Sequence, residues 1–403
     1  MSQLAESLSG SRSSYIRVVG AVCAAHFVSH YYIILLAPLL PLVRAAYGVS
    51  YTEIGLALAA FNIVTAALQT PAGFLVDRLG ARVLLVAGLA IGASAFVIAG
   101  LVDSFWVFVA MFAFAGVGNT VYHPADYALL SHHVPSDRIG QAFSFHTFAG
   151  MLGSAVAPVT LLMMQSLLGW RGAFIGAGAL GFAVAAILLA IREQTGTQAI
   201  RASAKTETGN TAASWQLLLS APILLNLVFF VLLAMISSGL YNYSVVALGA
   251  LYGTPATIAN TALSGNLLWS AIGVLIGGVL VGRTMRHGWV AAIGLAAMAV
   301  FTALIAEIDL GALALVTVMS LSGFFSGIIM PSRDMIVREV TPPGSFGKVF
   351  GFVTTGFNIG GIISPLIFGA IMDHNSPRMV FLAVAAFSLI AIMTVATRPR
   401  HTA

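Results

Sequence analysis

The chain has 403 residues, of which 59% are hydrophobic and only 8% are charged, and its mean hydropathy is +0.98. This composition excludes a water-soluble protein, because so little charge would leave one large apolar patch as its surface. The net charge of +5 follows the basic residues between apolar runs, so we attribute it to membrane topology and exclude nucleic acid as a partner.

Apolar runs fill nearly the whole chain, each close to the ~20 residues that cross a lipid bilayer as a helix. We therefore predict an all-α polytopic membrane protein with twelve transmembrane helices in two pseudo-symmetric six-helix halves. The first apolar stretch is too long for a signal peptide and is predicted to remain as a span. The predicted spans are 17–43, 52–76, 82–102, 104–131, 140–167, 171–191, 215–250, 256–281, 289–306, 310–337, 347–372 and 378–397.

A segment rich in Thr, Gly and Ala divides the chain between the sixth and seventh spans. Such a composition is typical of a flexible linker. We therefore predict an N-terminal half at 1–191, a cytoplasmic linker at 192–214 and a C-terminal half at 215–403.

Lys and Arg residues predict the orientation, because they concentrate in cytoplasmic loops. With the N-terminus inside, most basic residues fall on the cytoplasmic side, and the opposite side holds only Arg44, Arg171 and Arg378. We expect both termini in the cytoplasm and a location in a bacterial inner membrane. Cys23 is the single cysteine, so no intramolecular disulfide is possible.

The two halves repeat one pattern. Gly323–Pro342 follows the plan of Gly116–Pro135 at an offset of about 207 positions, and at that offset Asp126 falls on Arg333. A hydrophobic chain whose halves match in register is typical of a duplicated transporter, whose site lies between the repeats.

A loop motif between the second and third spans reads Gly73-Phe74-Leu75-Val76-Asp77-Arg78-Leu79-Gly80-Ala81-Arg82. It resembles the loop signature of the major facilitator superfamily. Within that superfamily, Ala25-His26-Phe27-Val28-Ser29-His30 and Val121-Tyr122-His123-Pro124 are most similar to the fosmidomycin-resistance group of bacterial exporters. That group usually has Asp where this chain has His30. The resemblance implies that spans one, four, seven and ten line a central cavity, and that the protein is a monomer.

Ionisable residues inside the spans are costly and point to function. His26 and His30 are four residues apart and share one helix face, and His123 and Asp126, three apart, share another. Imidazole titrates near pH ~6.5. We therefore predict that His26, His30, His123 and Asp126 are the proton-coupling candidates.

Arg333 is a fixed positive charge inside span ten, which suits an anionic or zwitterionic solute. Tyrosines add hydrogen-bonding groups to a mostly apolar cavity. The candidate substrate-binding residues are His26, His30, Tyr31, Tyr122, His123, Tyr243 and Arg333.

Other polar positions are predicted to gate or support the structure. Asp126 and Arg333 are equivalent in the two repeats, and we leave open a gate salt bridge between them or separate contacts with substrate. Asp334 points to a different helix face from Arg333. The gating or structural candidates are Gly73, Asp77, Arg78, Asp126, His146, Arg333 and Asp334.

These features predict a proton-coupled secondary transporter that works by alternating access and exports a small organic, anionic or zwitterionic solute. Proton-coupled uptake of a small organic anion such as a carboxylate is the alternative. The chain shows neither a phosphate-binding Gly-Lys motif nor a nucleophile–base constellation, so we expect no enzyme and no cofactor. Transport of a metal ion or chelate is less favoured, because an i, i+4 His pair is common by chance and no Cys or Met cluster joins it. We assign no metal site.

Overall fold

The computed structural model describes residues 2–135, 138–190, 216–342 and 345–396. The predicted linker at 192–214 lies outside the described residues. The helices before it are α1 (Ser2–Ile34), α2 (Leu40–Tyr47), α3 (Tyr51–Leu79), α4 (Ala81–Leu101), α5 (Phe105–Asn119), α6 (Tyr122–His133) and α7 (Ile139–Ala190). The helices after it are α8 (Ala221–Ser238), α9 (Ser244–Tyr252), α10 (Ala256–Val281), α11 (His287–Glu307), α12 (Gly311–Glu339), α13 (Phe346–Asp373) and α14 (Pro377–Ala396).

The described residues contain eleven helical stretches that are long and apolar enough to cross a membrane. One of them belongs to α7, which has 52 residues and a backbone break at Gly169, where φ is 71° and ψ is 170°. At ~1.5 Å per residue, α7 is more than twice as long as the ~30 Å hydrocarbon core. Gly169 therefore separates two spans, and the prediction of an all-α fold with twelve transmembrane helices is confirmed.

Two predicted spans are broken four residues before a proline, which has no N–H to donate to the helix. Pro38 has no N–H for the carbonyl of Ile34, where α1 ends, and a short 3₁₀ turn at Ala37–Leu39 follows. Pro124 likewise has no N–H for Thr120, which lies between α5 and α6. The second break is important for the site, because α6 begins at Tyr122 and carries His123 and Asp126 in its first turns.

Packing divides the chain into two units. Unit 1 comprises Met1–Leu35 and Ile63–Lys205, and unit 2 comprises Leu36–Asn62 and Thr206–Ala403. In unit 1, α7 packs against α1 and α4, and α4 packs against α5. In unit 2, α10 packs against α12, α13 packs against α8, and α11 packs against α12 and α14.

Leu36–Asn62 lies in the first half by sequence and in unit 2 by packing. The contacts that bind it to unit 2 are close backbone approaches. A side chain on Gly55 would lie 2.8 Å from the carbonyl oxygen of Pro365, and one on Gly369 would lie 2.7 Å from the α-carbon of Thr52. These two glycines allow the N-terminal part of α3 to pack directly on α13.

Asp373, at the end of α13, caps the first turn of α3. Its Oδ1 accepts a hydrogen bond of 2.7 Å from the N–H of Tyr51, and its Oδ2 accepts one of 2.8 Å from Thr52. These N–H groups have no partner inside their own helix. We expect Asp373→Asn to lower the free energy of unfolding by ~1–2 kcal/mol, because one acceptor and the charge are lost at a helix N-terminus. Thermal unfolding in detergent measures the change.

Asp309→Asn is the matched control for this prediction. Asp309 is exposed, and its bond of 3.3 Å from the N–H of Gly311 joins residues only two positions apart. Equal melting temperatures for the two variants would contradict a stabilising role for the Asp373 cap.

Candidate functional site

Three helices of unit 1 bring five ionisable residues together. His26 and His30 lie one turn apart on α1, His123 and Asp126 lie at the start of α6, and His146 lies in α7. We call these five residues the histidine cluster. The break before α6 sets the position of His123 and Asp126, while the packing of α7 on α1 brings in His146.

Asp126 is the centre of the histidine cluster. Its Oδ2 accepts hydrogen bonds from Nδ1 of His26 at 3.1 Å and from Nε2 of His146 at 2.9 Å. The exposed fractions of His26, Asp126 and His146 are 4%, 0% and 2%. Because a carboxylate only accepts, this network assigns a proton to Nδ1 of His26 and to Nε2 of His146.

The second carboxylate oxygen, Oδ1 of Asp126, is buried and has no hydrogen-bond partner among the residues that the structure describes. A buried acceptor without a partner costs roughly 1–3 kcal/mol. With neutral imidazoles the cluster carries the single negative charge of Asp126, and one bound proton cancels it. Burial favours that cancellation, because an uncompensated charge is expensive away from water.

The imidazole rings are in contact around this carboxylate. The rings of His26 and His146 stack with centroids 3.7 Å apart, and the rings of His30 and His123 lie 4.6 and 5.4 Å from that of His26. Nδ1 of His30 is hydrogen-bonded to Oγ of Ser154 at 3.3 Å. His123 is exposed, whereas His26 and His146 are buried.

Two glycines of α7 make room for the cluster. A side chain on Gly150 would lie 2.6 Å from Cδ2 of His26 and 2.9 Å from Cδ2 of His30. A side chain on Gly153 would overlap the backbone carbonyl of Phe27. These glycines therefore set the distance between α1 and α7, and with it the contact between His26 and His146.

Arg333 lies in α12 of unit 2, where aromatic rings hold its guanidinium group. Its Cζ lies 4.9 Å from the ring centroid of Phe230 and 5.2 Å from that of Phe357, and its Nε donates a 2.8 Å hydrogen bond to Asp334. We expected Asp334 to face away from Arg333. The structure pairs them, because the long Arg side chain reaches its neighbour's carboxylate. The gate pair between Asp126 and Arg333 stays a prediction.

The predicted tyrosines differ in their hydrogen bonds. Tyr243 donates to the carbonyl of Pro365 at 2.6 Å, and Tyr31 is bonded to Oγ1 of Thr160 at 2.9 Å. The hydroxyl of Tyr122 is buried without a partner among the described residues. Tyr243 also ends a π-helical turn, Gly239–Tyr243, a distortion that is frequent at functional sites. No feature of the sequence indicated that turn.

The loop motif lies at the end of α3, which carries Gly73, Asp77 and Arg78 in its last turns. Arg82, the last residue of the motif, was assigned no role from the sequence. Its Nε and Nη2 donate to the carbonyl of Leu188 at 3.1 and 2.7 Å, and Nη2 also donates to the carbonyl of Leu189 at 3.0 Å. These carbonyls belong to the last turn of α7, so Arg82 caps that helix.

Twelve membrane spans, a half-chain repeat and a buried ionisable cluster define a polytopic membrane transporter. The chain belongs to the Major Facilitator Superfamily, whose family model matches residues 22–254 and 227–403. It is therefore a transporter of small solutes that sits in a membrane, and not an enzyme.

Several curated relatives match most of the chain. It is 25% identical to the fosmidomycin resistance protein of Escherichia coli K12, over 97% of the chain and 95% of that protein. It is 24% identical to a probable sulfoacetate transporter of Cupriavidus necator, over 89% of the chain and 87% of that protein. The resemblance to the fosmidomycin-resistance group is confirmed.

Solved structures have the same fold. A bacterial homologue of the human lysosomal transporter Spinster, in an inward-facing and unoccupied conformation, superposes with a TM-score of 0.79 at 13% sequence identity. The match covers 97% of this chain and 99% of that one.

Proposed function

We propose that this protein is a proton-coupled secondary transporter that exports a small organic anion or zwitterion by alternating access. It lies in a bacterial inner membrane as a monomer, with both termini in the cytoplasm. The observation that carries the proposal is the histidine cluster, in which a fully buried carboxylate accepts hydrogen bonds from two imidazoles.

The cluster has the properties that proton coupling requires. A coupling group must gain and lose a proton while its charge responds to the solute. A proton enters the cluster at the exposed ring of His123 and passes to His26 and Asp126. The ring of His30 also contacts that of His26. One bound proton changes the net charge of the cluster from −1 to zero, which alters its attraction for a charged solute.

Arg333 supports an anionic or zwitterionic solute. Its guanidinium keeps its charge at every physiological pH, and its coplanar N–H donors match the oxygens of carboxylate, sulfonate and phosphonate groups. The rings of Phe230 and Phe357 contact the guanidinium group and restrict its position. Sulfoacetate, named for one relative, is a small organic anion of this kind. Tyr122, whose buried hydroxyl has no partner among the described residues, is proposed to contact the solute. Tyr31 and Tyr243 are buried with their hydroxyls hydrogen-bonded, so we propose that they support the helices that carry them.

The similarity to a resistance protein over 97% of the chain supports export. The second candidate function is proton-coupled uptake of a small organic anion, the class of solute named for the probable sulfoacetate transporter. The two candidates differ in whether solute and proton move in opposite directions or together.

Proteoliposomes distinguish these candidates directly. The purified full chain is reconstituted with a pH-sensitive dye inside, a pH gradient is imposed, and accumulation of labelled fosmidomycin or sulfoacetate is followed. We expect the solute to move against its gradient while protons move the other way. Movement of both in one direction would favour uptake, and accumulation that ignores the gradient would refute proton coupling.

His123→Gln tests the proton route in the same assay. We expect accumulation driven by the pH gradient to fall at least about tenfold, a factor equivalent to ~1.4 kcal/mol in the barrier, because the exposed imidazole of the cluster is lost. Downhill exchange of solute should persist. His132→Gln, on the same helix and exposed, is the control. An unchanged pH dependence in His123→Gln would contradict the proton route.

A further inference from the structure

Three residues of the histidine cluster lie close enough together to hold a metal ion. The ligand atoms of His26, Asp126 and His146 all lie within 4.8 Å of one another. They come from α1, α6 and α7, so the set exists only in the folded protein. No spacing rule in the sequence connects His146 with His26 or Asp126.

Small movements would convert the hydrogen-bonded arrangement into metal ligation. Oδ2 of Asp126 lies 3.1 Å from Nδ1 of His26 and 2.9 Å from Nε2 of His146. Two ligands that each lie ~2.05 Å from one tetrahedral ion are about 3.3 Å apart. Oδ2 therefore needs to separate from each nitrogen by only a few tenths of an ångström, and the two nitrogens, which lie within 4.8 Å of each other, must reach the same spacing. Each imidazole must also lose the proton on its ligating nitrogen when the ion binds.

A second observation also points to a ligand at this place. Oδ1 of Asp126 is fully buried and has no partner among the described residues. Hydrogen bonds from the two histidines go to the other oxygen and leave Oδ1 unsatisfied. A cation bound through both carboxylate oxygens of Asp126 would satisfy Oδ1 and cancel the buried charge.

The donor set determines the class of ion. Two imidazole nitrogens and one carboxylate oxygen suit Zn²⁺, Co²⁺ and Ni²⁺, whereas Mg²⁺ and Ca²⁺ prefer oxygen ligands. The exposed ring of His123, 5.4 Å from that of His26, gives an ion access. We propose that His26, Asp126 and His146 bind a divalent first-row transition-metal ion.

Cobalt provides the test, because Co²⁺ bound by two nitrogens and an oxygen at low coordination number absorbs strongly in the visible region. The purified, tag-free full chain is titrated with CoCl₂ in detergent at one fixed pH, and Zn²⁺ is then added. We expect visible bands that saturate at one ion per chain and disappear when Zn²⁺ displaces Co²⁺. His146→Gln should weaken binding by more than the ~10–100-fold that loss of an outer-shell partner costs.

Two further measurements keep the test decisive. His374→Gln removes an exposed histidine of unit 2 and should leave the bands unchanged. X-ray absorption at the cobalt edge of the unaltered protein should show two imidazoles per ion, a readout that needs no variant to fold. Absence of saturable bands, or equal affinity in His146→Gln, would overturn the proposal. No solute gradient is involved, so failure here leaves the transport proposal intact.

Discussion

Asp126→Asn should abolish solute accumulation driven by a pH gradient. The substitution keeps the size of the side chain and its contacts with His26 and His146, but it removes the carboxylate charge that a bound proton cancels. Accumulation should fall at least about tenfold, which corresponds to ~1.4 kcal/mol in the barrier for the coupled step. Downhill exchange should continue, because the solute site remains. The measurement is the proteoliposome assay with an imposed pH gradient.

The same substitution separates a coupling role from a structural one. Asn has no charge to bury. The melting temperature of the Asp126→Asn variant should therefore equal or exceed that of the unaltered chain. Asp309→Asn, in an exposed loop, is the control for loss of a carboxylate. If Asp126→Asn accumulates solute at the normal rate with the normal pH dependence, Asp126 is not the coupling group.

The fold could be predicted from the sequence because a bilayer imposes a simple rule. Each span must be a helix with ~20 apolar residues, and short polar loops separate them. The boundary between spans five and six was predicted at 167–171, and the structure places the break at Gly169. The interruptions inside spans were harder to predict. Pro38 and Pro124 are visible in the sequence, yet a proline within a membrane helix often only bends it.

The site was predictable to the extent that helix periodicity determines it. The i, i+4 spacing of His26 and His30 and the i, i+3 spacing of His123 and Asp126 place each pair on one face. The partner of Asp126 could not be predicted, because it depends on how three helices pack. Its repeat equivalent, Arg333, suggested a gate, whereas the structure gives Asp126 two bonds from histidines in its own unit. His146 is 20 residues away on another helix, and no spacing rule connects it to Asp126.

Gly153→Ala should damage both stability and transport, because Gly153 sets the contact between α1 and α7. A methyl group at this position would overlap the carbonyl of Phe27, which is backbone and cannot rotate away. The two helices must then separate, and His26, next to Phe27, moves away from His146. We expect a loss of about 1–3 kcal/mol in the free energy of unfolding, together with loss of gradient-driven transport. Thermal unfolding and the proteoliposome assay measure the two effects.

Gly20→Ala is the matched control for this prediction, since it is the same change in the same pair of helices. A methyl group on Gly20 of α1 would meet no atom within 4 Å, and alanine favours a helix by up to ~1 kcal/mol over glycine. The control should therefore be as stable as the unaltered chain or slightly more stable. If Gly153→Ala behaves like Gly20→Ala in both assays, α1 and α7 tolerate a wider separation. The arrangement of His26 and His146 would then not depend on close helix packing. The presence of glycine at position 153 would instead reflect a need for flexibility in α7.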